Sequence, residues 1–244
     1  CSADGLKVEV GWVCTAAGLR CQPKCGDGLL VGSEECAGPA IEVKFYGGKS
    51  LYYPLMAVWL EDEQGGYIQT MFVPKTIATG IFKYGSDASG KWVEAAKRAP
   101  QTLPYWSHKR GIVASDGLYM PEPENPVADA YSGATPTTSF TLTTRADKPL
   151  PEKFRVMFEI NQNWDWNEYW TNNKYPGDNN YLYSAQPAVV YESMVDQKDL
   201  HDKYIMRPTG HSHPSGQTGE LFTDLSTLTT ALQIADSIVV KIVL

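Results

Sequence analysis

The residues whose types and spacing best suit chemistry lie mid-chain, in Asp129-Ala130-Tyr131-Ser132-Gly133-Ala134-Thr135, followed by Pro136-Thr137-Thr138. Gly133 and Ala134 let another molecule approach the backbone, Thr135 offers an attachable oxygen, and Asp129 adds a carboxylate upstream. Such a stretch is either an attachment point for a group carried on oxygen or an ordinary Ser/Gly/Thr turn ahead of a strand beginning near Ser139, with Asp129 capping local N–H groups. A second candidate is His211-Ser212-His213. In extended chain the two imidazoles share one face, as a copper or zinc pair requires, and His108 and His201 could complete a site. The alternative is a solvated Gly/Ser/His loop from Gly210 to Gly219. Asp165, Glu168 and Asp178 fall in an Asn-rich aromatic stretch that could hold calcium or contact sugar, without the regular oxygen spacing of a calcium loop. No nucleophile elbow, phosphate-cradling glycine loop or zinc-protease histidine pair is present, so no hydrolase is read here.

The elements that must position these residues read as β-structure. The chain has 244 residues, enough for a full core, and its 14 Tyr, 7 Trp and 7 Phe among 21 Gly and 16 Pro suit strands joined by tight turns. Ile41–Phe45 and Ser139–Thr144 alternate apolar and polar residues as half-buried strands do. Tyr53–Leu60 and Tyr67–Val73 form a hairpin around the acidic Gly65-Gly66 loop. Lys153–Ile160, Gln186–Glu192, Lys203–Arg207 and Ala235–Val243 are further strands. Lys91–Ala99 is the one helix expected, while Leu103–His108 reads as an aromatic loop and Thr223–Thr230 as a turn or short helix. Short strands separated by turn signals predict an antiparallel β-sandwich.

All five cysteines, Cys1, Cys14, Cys21, Cys25 and Cys36, stand in the first 36 residues. Clustered in a small Gly-rich unit, they read as a disulfide framework and an oxidising compartment, with zinc as the competitor through Cys21-x3-Cys25. Cys14, Cys21, Cys25 and Cys36 make two bridges if Cys1 is the lipid-bearing first residue of a mature lipoprotein; otherwise Cys1 pairs upstream. The organisation expected is residues 1–38 as a disulfide-bonded unit and 39–244 as the sandwich. Lys and Arg number 21 against 28 Asp and Glu, a formal charge of −7, which argues against a nucleic-acid partner. No apolar run approaches the roughly 20 residues of a membrane span.

Two resemblances sharpen this reading. Cys25-Gly26-Asp27-Gly28 and Gly32-Ser33-Glu34-Glu35-Cys36 resemble the cysteine-rich repeats of myxobacterial and related surface proteins, although Ala37-Gly38-Pro39 replaces the Asp-Asp-Gly-Asn run usual there. That likeness implies a spacer or stalk. The segment Asp129-x-x-Ser132-Gly133-Ala134-Thr135 resembles the acceptor site on which a flavin transferase places FMN through a phosphoester to the last threonine. Ala57–Asp62, Lys91-Trp92, Phe158–Asn161 and Gln186–Tyr191, in order around it, are similar to an uncharacterised predicted periplasmic family with an immunoglobulin-like sandwich, some members encoded near flavin-transferase genes. The similarity covers about residues 41–244.

These resemblances imply an immunoglobulin-like β-sandwich outside the cytoplasm, in the periplasm or on the outer surface, with FMN on Thr135. The flavin carries the redox chemistry and the chain supplies binding and orientation. Asp129 would serve the transferase, and Tyr131, Trp106, Tyr105, Trp164, Trp166 and Trp170 are candidate shelves for the flavin ring, unless they serve only packing. The expected function is electron transfer with a haem or flavin protein rather than substrate turnover. The alternatives are a non-redox surface module that binds a ligand or protein through aromatic loops, and a copper-binding surface protein using His211 and His213.

Overall fold

A computed structural model describes residues 39–243 except 89, 128 and 129, together with the backbone of 12–14, 21–23 and 131. In chain order the strands are β1 (Trp12–Cys14), β2 (Cys21–Pro23), β3 (Ala40–Gly47), β4 (Pro54–Asp62), β5 (Tyr67–Pro74), β6 (Ile81–Ser86) and β7 (Val93–Ala96). They continue with β8 (Tyr131–Gly133), β9 (Phe140–Arg145), β10 (Lys153–Gln162), β11 (Val189–Asp196), β12 (Tyr204–Ile205), β13 (Arg207–His211) and β14 (Ala235–Val243). Three short helices, α1 (Lys75–Thr79), α2 (Pro104–Arg110) and α3 (Asn179–Ser184), and a 3₁₀ turn at Thr230–Gln233 join them. No helix among the described residues is long and apolar enough to cross a membrane.

The fold is all-β, as expected. A six-stranded sheet in the order β13-β11-β10-β4-β5-β8 faces a four-stranded sheet in the order β12-β14-β3-β9. Every pairing in the two sheets is antiparallel except that of β5 with β8. Alternation sets the facing sides: Ile41, Val43 and Phe45 of β3 meet Phe154, Val156, Phe158 and Ile160 of β10, all buried. Phe158 stacks on Phe45 with centroids 5.8 Å apart and rings 3° from parallel.

The intervening residues of β4 and β10 (Ala57, Trp59 and Glu61; Met157, Glu159 and Asn161) are also buried. A second apolar cluster lies over this face of the six-stranded sheet, with Ile77 of α1, Tyr105 and Trp106 of α2, and Val127 and Ala130 just before β8. Arg98 holds the crossing segment in place, its Nε and Nη2 donating to Asp116 at 2.6 and 2.9 Å and its Nη1 to Pro121 O at 2.7 Å. The β10 pattern Phe-Arg-Val-Met-Phe-Glu-Ile-Asn therefore belongs to a strand covered on both faces.

Two local expectations are corrected. Lys91–Ala99 contains strand β7, paired antiparallel with β6 through Ile81–Ala96 and Phe82–Ala95, rather than a helix. Between Gly90 and Pro100 the window is too short for an isolated helix to hold itself together, whereas pairing satisfies its backbone. Gly85 permits the close approach, since a Cβ there would lie 2.1 Å from Ala95 O. The aromatic loop at Leu103–His108 is mostly helix α2, with Pro104 in its first turn and Gly111 at φ 69° after its end. The expected Cys1, Cys25 and Cys36 roles fall on residues outside those described. The backbone register of β1 and β2 sets Cys14 opposite Cys21.

Phe158→Ala is expected to cost about 3–5 kcal/mol, because a fully buried ring between the sheets leaves a cavity that strands cannot collapse. Urea unfolding tests this, and a loss below about 1 kcal/mol would contradict the packing described.

Candidate functional site

Beneath α2 lies a buried carboxyl group. Glu159 Oε1 accepts from Tyr105 N at 3.2 Å and Oε2 from Trp106 N at 2.7 Å, so β10 caps the first turn of the helix from below. Burial pushes this carboxyl up to about 8; the two backbone donors, with Ser212 beside it, oppose the rise. The Ser212 hydroxyl is near enough to weigh on Glu159 but makes no well-formed hydrogen bond. Glu61, also raised by burial, accepts from Trp59 Nε1 at 2.8 Å and faces Lys109 Nζ at 3.4 Å. Neither carboxyl was anticipated, since alternation alone reads Glu61 and Glu159 as solvent-facing.

Trp106 is fully buried and its Nε1 donates to Thr70 Oγ1 at 3.0 Å. It is therefore not an open shelf for a planar ring, and Tyr105 is buried beside it. Trp164 and Trp166 are exposed and meet edge to face at 5.5 Å, with Tyr183 5.1 Å from Trp164. Trp170 is buried.

The acceptor-like segment takes a form that turn chemistry alone does not suggest. Tyr131, Ser132 and Gly133 make a short outermost strand, parallel to the end of β5 through the pairs Phe72–Tyr131, Val73–Ser132 and Pro74–Gly133. The chain bends at Ala134 directly after it. Ser132 and Ala134 are exposed, and Gly133 and Thr135 half-buried. Asp129 is outside the described residues, as is the side chain of Tyr131. The approach is anchored, since Val127 N donates to Ala78 O at 2.8 Å and Ala130 is buried.

His211 and His213 come together at the opposite edge of the same sheet. The cross-sheet row Pro208–Tyr191–Phe158–Val58–Phe72–Tyr131 links β13 to β8. From that row, His211 and Gly133 both lie toward the end of the sheet where β10 finishes. Five strand spacings of about 4.8 Å separate the two edges, about 24 Å in all.

From Gly210 to Gly216 the chain is largely buried, which corrects the expectation of a solvated loop there, while Gln217 and Thr218 are exposed as expected. His211, Ser212 and Ser215 are buried, His211 stacks on Phe222 at 5.3 Å, and Gly216, at φ 73°, lies against the Pro100 backbone. A cleft of about 490 Å³ opens beside the pair, walled by Tyr169, Trp170, Tyr175 and Phe222. Burial lowers the pKa of both histidines, so both are neutral near pH 7. His108 is engaged elsewhere, stacked on Tyr119 with Nδ1 2.8 Å from Pro104 O, and His201 meets Tyr204. Among the described residues no group of three or more His, Cys, Asp or Glu is placed to hold a metal ion.

The acidic stretch does not converge. Asp165 accepts from Thr230 Oγ1, Glu168 is exposed, and Asp178 caps α3 through Tyr181 N at 2.9 Å while accepting from Ser215 Oγ. The cleft walls Tyr169, Tyr175 and Phe222 were missed, because they come from separate loops that only the fold brings together. In comparisons with known proteins, no family model, curated protein or solved structure matches the chain.

A carboxyl raised by burial binds its proton more tightly in the folded state. Its contribution is full below the unfolded value near 4.5 and is lost as pH rises through about 8. Thermal unfolding between pH 5 and 8.5 should therefore show stability falling with pH, and Glu159→Gln should flatten that slope. An unchanged slope in the variant would assign the pH dependence elsewhere.

Proposed function

We propose that this chain is an extracytoplasmic electron-carrying β-sandwich that holds FMN through a phosphoester to Thr135. The observation that supports this reading is the placement of the acceptor-like sequence on an outermost strand, with Ser132 and Ala134 exposed and Thr135 half-exposed. A transferase can reach such an oxygen without unfolding the sheet. The small side chains of Gly133 and Ala134 leave room for a bulky group beside the threonine.

When bound, FMN supplies the electron-transfer chemistry. The work of the protein is to position it. Pairing with Phe72, Val73 and Pro74 fixes the backbone of β8, and the buried Val127 and Ala130 fix the segment leading into it. Exposed Trp164 and Trp166, beyond the end of β10, and exposed Tyr52 and Tyr53, just before β4, offer aromatic surface at that end of the sheet. The two tryptophans replace Trp106 as candidates to shield a flavin ring. An attachment site at the rim suits exchange of electrons with a haem or flavin protein, because transfer requires close approach rather than a substrate pocket. The cysteine-rich residues 1–38 support the extracytoplasmic setting.

Co-expression with a flavin transferase, followed by intact-mass measurement and in-gel fluorescence, tests the reading. One FMN-sized adduct is expected in the parent chain and in Thr137→Ala, and none in Thr135→Ala. The last variant should keep its stability within about 0.5 kcal/mol, as for other substitutions near a surface. An unmodified parent chain, or an adduct retained in Thr135→Ala, would contradict the proposal.

A further inference from the structure

The cleft at the β13 edge is separate from the acceptor strand and carries its own chemistry. Its volume of about 490 Å³ falls in the range of small-molecule sites, about 300–1,000 Å³. Among the rings that wall it, Tyr169 and Tyr175 are 51% and 43% exposed, so flat aromatic surface is left open to a ligand. Trp170 is held between them and the core, its Nε1 donating to Thr227 Oγ1 at 3.2 Å.

The two histidines present opposite hydrogen-bonding character. His211 Nδ1 lies 2.9 Å from the Ser212 carbonyl oxygen, which can only accept, so Nδ1 carries the proton and Nε2 is left as an acceptor. His213 Nδ1 accepts from Ser215 N at 3.2 Å, so its proton is on Nε2, which is left as a donor. Lining one cleft, an acceptor and a donor match a hydroxyl-bearing ligand, because each hydroxyl both donates and accepts.

Charge narrows the choice. Lys174 Nζ already stands 3.4 Å from the Tyr169 ring centroid and 5.1 Å from that of Trp170, so a second cation would meet like charge on those rings. Asp178 and Asp224 line the cleft and disfavour an anion. Asp178 accepts from Tyr181 N and Ser215 Oγ, and Asp224 from Ser226 N at 2.9 Å and the Ser226 hydroxyl; each carboxylate keeps further acceptor sites, and Asp224 is the more exposed of the two.

We propose that the cleft binds a neutral saccharide, with a sugar C–H face laid on the Tyr175 ring and hydroxyls paired to His211 Nε2, His213 Nε2–H and Asp224. This inference does not depend on the flavin reading: the two sites occupy opposite edges of the sheet, and loss of either leaves the other standing.

The test uses the full chain with cellotriose, chitotriose and maltotriose as probes, each followed by saturation-transfer NMR and calorimetry, with tetramethylammonium chloride as the cationic control. At least one trisaccharide is expected to bind at micromolar to millimolar concentration, with saturation strongest on its ring C–H protons. Tyr175→Ala and His213→Ala should each weaken that binding tenfold or more; Tyr175, being exposed, can be removed without moving the thermal midpoint, whereas His213→Ala also removes the acceptor of Ser215 N and lowers the midpoint. The proposal is overturned if none of the three sugars binds at millimolar concentration, if binding is the same in both variants, or if tetramethylammonium binds in their place.

Discussion

The interaction on which most of the structure depends is the reach of one buried carboxyl across two layers. Glu159 stands on the central strand β10 and accepts the backbone N–H groups of Tyr105 and Trp106, so a seven-residue helix is seated on a sheet face that would otherwise be wet. A helix this short does not hold itself in water. Once seated, α2 carries Trp106 onto Thr70 of β5 and Lys109 onto Glu61 of β4. The second core follows, and with it Val127 and Ala130. The last strand of the sheet, β8, is therefore positioned by its pairing with β5 on one side and by this second core at its entrance.

That arrangement explains why the candidate functional residues gather at one end of one sheet. The central strands β10 and β4 are buried on both faces and have no surface to offer a ligand, while β8 and β13 form the edges. The end of β8 runs into the Ser132–Thr135 segment, and the end of β13 runs into His211–His213. Between them the residues after β10 present Trp164 and Trp166. One frame thus holds an exposed hydroxyl at one edge and an aromatic cleft at the other, each built from loop residues fixed by strand register.

The sandwich was legible where alternation is clean. Strands β3 and β9 lie where apolar and polar residues alternate, because one face of each must meet the opposing sheet, and β4, β5, β10, β11 and β14 lie where short runs are rich in apolar residues. The second layer was not legible, because alternation cannot distinguish a polar residue facing water from Glu159 facing a helix N-terminus. Two signals for α2 were nonetheless present, Pro104 at its start and Gly111 after its end. Strand β7 was hidden by Ala, Lys and Glu, whose helix preference yields to pairing with β6. The acceptor-like residues were singled out by their resemblance to a flavin-acceptor motif, and the histidine pair by type and spacing. The strand that presents the former, and the walls from residues 169–175 and 222 that enclose the latter, arise only from tertiary packing.

The most direct test of the account is tandem mass spectrometry of the peptide spanning β8 to β9, from protein matured by a flavin transferase. The account predicts a single FMN phosphoester with the fragment boundary at Thr135, and none at Ser132, Thr137 or Thr138. A flavin found on another residue, or an unmodified peptide from fully matured protein, would contradict it.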